Sequence, residues 1–226
     1  EIFSKWVDYW LKQAVREHLP TYLRDVEHLV KDLSATFPYG LPIGARLFSV
    51  DAVGMYSNID TQHGVDQIRS YLTQYCDDLP KSMPVEFIIA ALNESMSNNI
   101  FQFGDTHWRQ KQGCAMGTST AVNYAYLYVG ILEIQTLLKK YGAQLLFFKR
   151  FIDDVIGVWL PDPNKPDTWE RFFDDLNSFG RLRWTCDGLT NELIFMDLRI
   201  MLLPNGNLHF TTYQKEMNLY LYIPPG

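Results

Sequence analysis

The sequence is poor in the residues that build covalent or soft-metal scaffolds. It has 3 cysteines, Cys76, Cys114 and Cys186, far apart and odd in number. None has a partner at zinc-ligand spacing, which argues against a disulfide framework and for a reducing compartment. The 5 histidines (His18, His28, His63, His107, His209) are equally scattered, so a histidine–cysteine metal site is not expected. No apolar run reaches membrane-spanning length. No charged segment followed by an apolar core stands near Glu1, and the chain reads as a fragment of a longer protein that carries no targeting information. Positive charge is short as well: 20 Lys and Arg against 26 Asp and Glu leave a net charge of −6. A free-standing nucleic-acid binder usually carries a positive footprint, so any such function must explain this deficit. Internal repeats and low-complexity tracts are lacking too.

What the chain does have is core material. Its 226 residues are 47% hydrophobic and 15% aromatic, enough for one substantial domain or a closely packed pair. Charged residues are interspersed, which speaks against disorder.

Periodicity supplies the coarse order. "SKWVDYWLKQAVREHL" predicts a helix with Trp6, Tyr9, Trp10, Ala14 and Val15 inward, ended by Pro20. A second helix is expected over "TYLRDVEHLVKDLSATF", capped by Thr21, with Leu23, Val26, Leu29, Val30 and Leu33 inward. "ARLFSVD" predicts a short buried strand ending in Asp51. Helices are expected over 61–77 and 84–98, with Pro84 at a first helical position. "NIFQFGDTHWRQ" predicts a hairpin turning near Gly104-Asp105, and Ser119 to Tyr141 a long buried helix with Thr118 or Ser119 as cap. "QLLFFKRF" and "VIGVWL" read as strands hinged on Ile152-Asp153-Asp154, and "PDTWERFFDDLNSF" as an amphipathic helix. Strands are expected near 181–186 and 193–203, and Asn205-Gly206 marks a hairpin turn before "LHFTTYQK". The sum is an α+β fold.

Three Asp-Asp doublets stand out. Asp77-Asp78 fall at a helix end, and Asp174-Asp175 on the solvent side of a helix. Asp153-Asp154 alone sit at the tip of an apolar, aromatic hairpin. A turn would account for aspartate there, yet the usual Asn-Gly or Asp-Gly chemistry is missing. Two adjacent carboxylates repel and raise one pKa unless a cation is near. Asp51, closing its apolar strand, is the best further ligand if that strand pairs beside the hairpin. Oxygen ligands alone suit Mg²⁺ or Mn²⁺, which share their coordination with substrate phosphates. Two such ions would make a phosphoryl-transfer centre.

"LFSVDAVGMYSNI", "QKQGCAMGTSTAVNYAYLYVGILE" and "FIDDV" resemble, in order, the palm motifs of reverse transcriptases. The nearest resemblance is to the Penelope-like retroelements, relatives of telomerase, supported by "NELIFMDLRI" and "YQKEMNLYLYIP". The resemblance implies a polymerase palm, an antiparallel sheet backed by helices, over 39–226. Residues 1–38 would form a helical lead-in on the fingers side, and 193–226 a primer-grip-like region. It implies RNA-directed DNA polymerase activity with two Mg²⁺ or Mn²⁺ ions held by Asp51, Asp153 and Asp154. Ala52 would sit at the metal-bearing turn, Tyr56 would be an aromatic gate under the sugar, and Gln112 and Gly113 would line the nucleotide pocket, continued by Met116 and Gly117. Phe195, Met196, Asp197 and Leu198 would steady a primer, with Lys215 near nucleic-acid backbone. The implied partners are an RNA template, a DNA primer, deoxynucleoside triphosphates and the fingers and thumb of a parent protein, with no membrane. The implied setting is intracellular, and nuclear for a eukaryotic retroelement protein. The chain departs from its relatives in reading Ala121-Val122 where Ala-Pro is common, and it shows no joined nuclease domain. A catalytically silent palm that only binds RNA or protein, and an RNA-templated RNA polymerase, are the competing readings.

Overall fold

The computed structural model describes residues 2–75, 83–114 and 116–214. Its centre is a four-stranded antiparallel sheet in the order β4-β5-β1-β6, formed by β1 (Arg46–Ala52), β4 (Leu145–Phe151), β5 (Asp154–Trp159) and β6 (Trp184–Cys186). Alternation sorts the side chains between two cores. Phe48, Val50, Ala52, Phe148, Val155 and Trp159 face one core, and Leu47, Phe147, Ile156 and Val158 face the other.

The first core lies under helices. α6 (Ala121–Leu132) is buried at nearly every position, as a helix apolar all round must be. Against it pack α1 (Ile2–His18) and α4 (Thr61–Gln74), and α1 also meets α5 (Val85–Ser97). α8 (Thr168–Asn177) places Trp169 and Phe172 on Phe48 and Trp159. Gly157 makes room there: a Cβ would stand 2.2 Å from the Phe48 ring. The second core is closed by α2 (Val26–Thr36) and a three-stranded sheet of β7 (Glu192–Phe195), β8 (Leu198–Leu202) and β9 (Leu208–Thr212). A separate hairpin, β2 (Ile100–Phe103) with β3 (Thr106–Arg109), is exposed along its whole length.

Several expectations are corrected. α1 buries Ser4, Val7, Leu11, Ala14 and Val15, while Tyr9 is 59% exposed, because the 3.6-residue period picks the narrower stripe one step around. α2 begins at Val26, not near Thr21. Asp25 is its cap and accepts the His28 N–H, whereas the Thr21 hydroxyl is spent on buried Glu133. Pro84 stands one residue before α5, in the cap position. The long helix starts at Ala121, with Thr120 ahead of it bonding to Ser4, and it is interrupted by a π-helical turn, Glu133–Leu137, before α7 (Leu138–Tyr141). Asp175 is tied to Lys140 and Tyr141 rather than simply solvated. The expected strand over 193–203 is folded into the β7–β8 hairpin at Met196-Asp197. Asp77-Asp78 and Lys215 lie outside the described residues.

Candidate active site

β1 and β5 run antiparallel with Asp51 directly opposite Asp154. Period-two alternation puts both on the face that looks toward the β7–β8 hairpin. Directly opposed side chains start with their Cβ atoms roughly 5 Å apart, a destabilising arrangement for two anions. The pair relieves it by a side-chain hydrogen bond between Asp51 and Asp154. Burial first, then the charges of Asp153 and Asp51, push the Asp154 carboxyl up to about 6, and Asp51 is raised by burial and by Asp153. Asp153 occupies the turn beside them, with its carbonyl accepting the Ala52 N–H at 3.1 Å. The three acids are therefore brought together. Among the described residues, however, no three carboxylate, imidazole or thiolate groups already form a metal cage. The donor set still fits Mg²⁺ or Mn²⁺, ions commonly held by one or two carboxylates with substrate phosphates completing the shell.

A pH dependence follows. Because the Asp154 carboxyl is raised in the fold, protonation stabilises the folded state. That contribution is complete below about pH 4 and is lost as pH rises through about 6. In metal-free buffer the urea midpoint of the wild-type chain should fall relative to Asp154→Asn between pH 4 and 7. A constant difference between the two would remove the shared proton.

Asp51 and Asp154 form one wall of a cavity of about 220 Å³, and Phe195 and Met196 form the opposite wall with Thr185 and Cys186 beside them. The primer-grip expectation is thus placed across from the acids. Phe195 is buried, Asp197 is exposed with its carbonyl accepting the Tyr213 N–H at 2.8 Å, and Leu198 opens β8. Among the described residues, Ile152 (φ 55°) and Met196 (φ 54°) are the non-glycine residues with left-handed backbone. They sit at the turn carrying Asp153 and at the turn facing the acids. For β-branched Ile152 this conformation costs on the order of 1–2 kcal/mol, and such strain gathers at functional sites.

The remaining expected residues form a second group. Tyr56, in α3 (Met55–Asn58), is half-buried, and its phenol is raised by burial, by Cys114 and by Asp153, which places it between the two groups. Its carbonyl accepts the Cys114 N–H at 2.6 Å. Gly113 (φ 82°) lies flat against this backbone, where a Cβ would meet the Tyr56 carbonyl at 2.7 Å and Ser57 at 2.8 Å. Gly113→Ala therefore combines left-handed strain with overpacking against backbone, together about 2–5 kcal/mol. A melting temperature within a degree or two of wild type would show that this contact is not made. Gln112 lines a different, larger cavity of about 510 Å³ with Asp60, Arg109, Lys111 and Arg181, and none of the three acids borders it. Ala52 is buried in the first core, so only its backbone is available to a nucleotide. Met116 is exposed.

Sequence reasoning missed three residues. Arg150 and Glu133 are both fully buried and ion-paired, and the Tyr126 hydroxyl accepts the Ile152 N–H in the turn before Asp153. The signal was present: a charge at an inward-phased position in the apolar strand "LLFFKRF", and another inside "VGILEIQTLL". Also missed was the grouping of Arg109, Lys111 and Arg181 around one cavity, where Asp60 pairs with Arg181 at 3.5 Å.

Solved structures that resemble this chain include apo telomerase from Candida tropicalis truncated from its C-terminal domain, with TM-score 0.67 and 11% identity over 92% of this chain and 44% of that one. Telomerase from Candida albicans in complex with a TWJ fragment of telomeric RNA follows at 0.66 and 11%, over 88% and 36%. An RNA polymerase complex inside a dsRNA virus matches at 0.62 and 13%, over 92% and 20%. The fold is that of a reverse-transcriptase-like polymerase. No protein-family model and no curated protein matches the sequence. The chain spans less than half the length of these two telomerases, and at these identities the likeness concerns the polymerase fold alone. Among the described residues, no helix is long and apolar enough to cross a membrane.

Proposed function

We propose that this chain is the catalytic palm of an RNA-directed DNA polymerase, of the Penelope-like kind. The observation that carries the reading is the direct pairing of Asp51 with Asp154, with Asp153 at the adjoining turn, inside a polymerase fold. The reaction is attack of a primer 3′-hydroxyl on the α-phosphate of a deoxynucleoside triphosphate, with pyrophosphate leaving. Divalent cations, when bound, supply Lewis acidity at the reacting phosphate and neutralise the leaving group. Asp51, Asp153 and Asp154 would hold them as carboxylates. Phe195 and Met196, across the 220 Å³ cavity, position the primer end. Tyr56 presents its ring beneath the sugar, and Gln112 and Gly113 form the floor of the nucleotide pocket. Arg109, Lys111 and Arg181 attract phosphates, and the exposed rings of Phe101, Phe103 and Trp108 on the β2–β3 hairpin offer stacking surface for single-stranded bases.

The test is primer extension on an RNA template with Mg²⁺ or Mn²⁺, with deoxynucleotides and ribonucleotides in parallel. Metal-dependent deoxynucleotide incorporation is the expected result. Metal-independent RNA binding without incorporation would favour a silent binding palm, and ribonucleotide incorporation an RNA polymerase. Tyr56→Ala should lower the deoxy-over-ribo preference in kcat/KM by roughly 10²-fold, about 2.7 kcal/mol of steric discrimination. An unchanged preference would remove Tyr56 as the gate.

A further inference from the structure

Ile152 holds an unfavourable backbone conformation immediately before Asp153 and Asp154, and both of its peptide groups are fastened from the protein interior. Its N–H donates to the Tyr126 hydroxyl at 2.8 Å, and its carbonyl accepts from Arg150 Nη1 at 2.9 Å. The same guanidinium donates Nη2 to the Tyr126 carbonyl at 2.8 Å and lies over the Tyr126 ring at 4.9 Å. Its remaining face is met by Glu133, to which Nε donates. Neither charged side chain is exposed. Glu133 opens the π-helical turn that interrupts the long helix, and its other oxygen accepts the Thr21 hydroxyl. Backbone bonds complete the seat: the Arg150 N–H donates to the Thr21 carbonyl at 2.7 Å, and the Leu23 N–H to the Arg150 carbonyl at 3.0 Å.

A charge pair buried this completely is costly to assemble and is seldom a net source of stability against a well-packed apolar alternative. What it supplies here is direction. The planar fork of arginine reaches three acceptors on three elements at fixed angles, which an ammonium cannot do. Those acceptors are Glu133 on the π turn, the Tyr126 carbonyl on α6 and the Ile152 carbonyl in the catalytic turn. The widened π turn is a form of helix defect that recurs at functional sites.

We infer that Arg150, seated on Glu133 and working with Tyr126, is a positioning residue that holds Ile152 in its left-handed conformation and so aims Asp153 and Asp154. The inference rests on the polymerase reading for its kinetic consequence, while its structural core stands on the contacts alone. Arg150 is fully buried and acts through the turn.

The experiment compares Arg150→Lys and Tyr126→Phe with the wild-type chain. The lysine keeps the charge opposite Glu133 but loses the fork. The phenylalanine removes only a hydroxyl, so both variants are expected to fold, as judged by far-ultraviolet circular dichroism. Measured well below their melting points, both should lose about 10- to 100-fold in kcat, with nucleotide KM within about twofold, since misplacement of a reacting group by an ångström is worth roughly that much. Amide exchange at Ile152 should accelerate tenfold or more while exchange in α6 stays unchanged. Mn²⁺ affinity, titrated by electron paramagnetic resonance on the protein alone, should weaken several-fold. A purely structural role would instead lower the melting temperature and leave kcat, the Ile152 amide and Mn²⁺ affinity at wild-type values, and that outcome overturns the inference. If the wild-type chain extends no primer, the amide and Mn²⁺ measurements decide alone: weakening in both variants keeps the positioning role while the polymerase reading falls.

Discussion

Replacing Asp153 with Asn should abolish nucleotide incorporation while leaving the fold in place. The two side chains are nearly isosteric, and the contact that Asp153 makes with β1 uses its backbone carbonyl, which the substitution retains. What is lost is a negative charge next to the Asp51–Asp154 pair. A carboxylate that shares a divalent cation with a reacting phosphate contributes several kcal/mol of transition-state stabilisation. A loss of about 4 kcal/mol corresponds to roughly 10³-fold in rate. The variant also carries an internal control. The charge of Asp153 is the second cause, after burial, of the raised Asp154 carboxyl. Its removal should bring Asp154 down from about 6, visible as a shifted carboxyl titration in carbon NMR, and should slightly stabilise the metal-free fold near neutral pH. A chain that still incorporates deoxynucleotides at more than a tenth of the wild-type rate would take Asp153 out of the catalytic set. An unmoved Asp154 titration would mean that the acids are farther apart than the strand pairing places them.

The largest loss of stability should come from Glu133→Ala. Deleting this carboxylate leaves the Arg150 guanidinium buried without its counter-charge and the Thr21 hydroxyl without its acceptor. Stranding one member of a buried pair costs about 3–5 kcal/mol. Domain stabilities are typically about 5–15 kcal/mol, so this is roughly a fifth of the margin or more. Denaturant titration should show the midpoint falling steeply at an unchanged slope. A loss below about 1 kcal/mol would show that water reaches the guanidinium and that the pair is not dry. Restoring apolar volume at both positions, in Glu133→Met with Arg150→Met, should recover much of the loss, because it removes the stranded charge rather than its partner alone.

How much of this was legible beforehand can be seen residue by residue. Asp51 and Asp153-Asp154 were readable because an acid ending an apolar strand and a doublet in an apolar hairpin both violate local burial rules. The resemblance of "FIDDV" and "LFSVD" to palm motifs supplied their order. The helices over 61–74, 85–97 and 121–141 and the hairpin at Gly104 were visible from periodicity and turn chemistry. The sequence hid the start of α2, because Thr21 and Asp25 are both good caps and only tertiary contacts send the Thr21 hydroxyl to Glu133 instead. It also hid the break at Met196, since the Phe-Met-Asp-Leu stretch carries no glycine to announce a left-handed residue.

The sequence by itself therefore determined the inventory: an α+β chain, a buried central helix, and three carboxylates at the ends of apolar strands and the turn between them. Local rules suffice there, because side-chain period and charge burial are properties of neighbouring residues. Only the tertiary structure decided which acids face each other. Antiparallel register sets Asp51 opposite Asp154 and Phe195 across the cavity, and a one-residue slip would turn either acid to the other face. It alone also joined Arg150 to Glu133 and Tyr126, because what pays for a buried guanidinium is the sum of contacts from strand, helix and loop that only packing brings within reach.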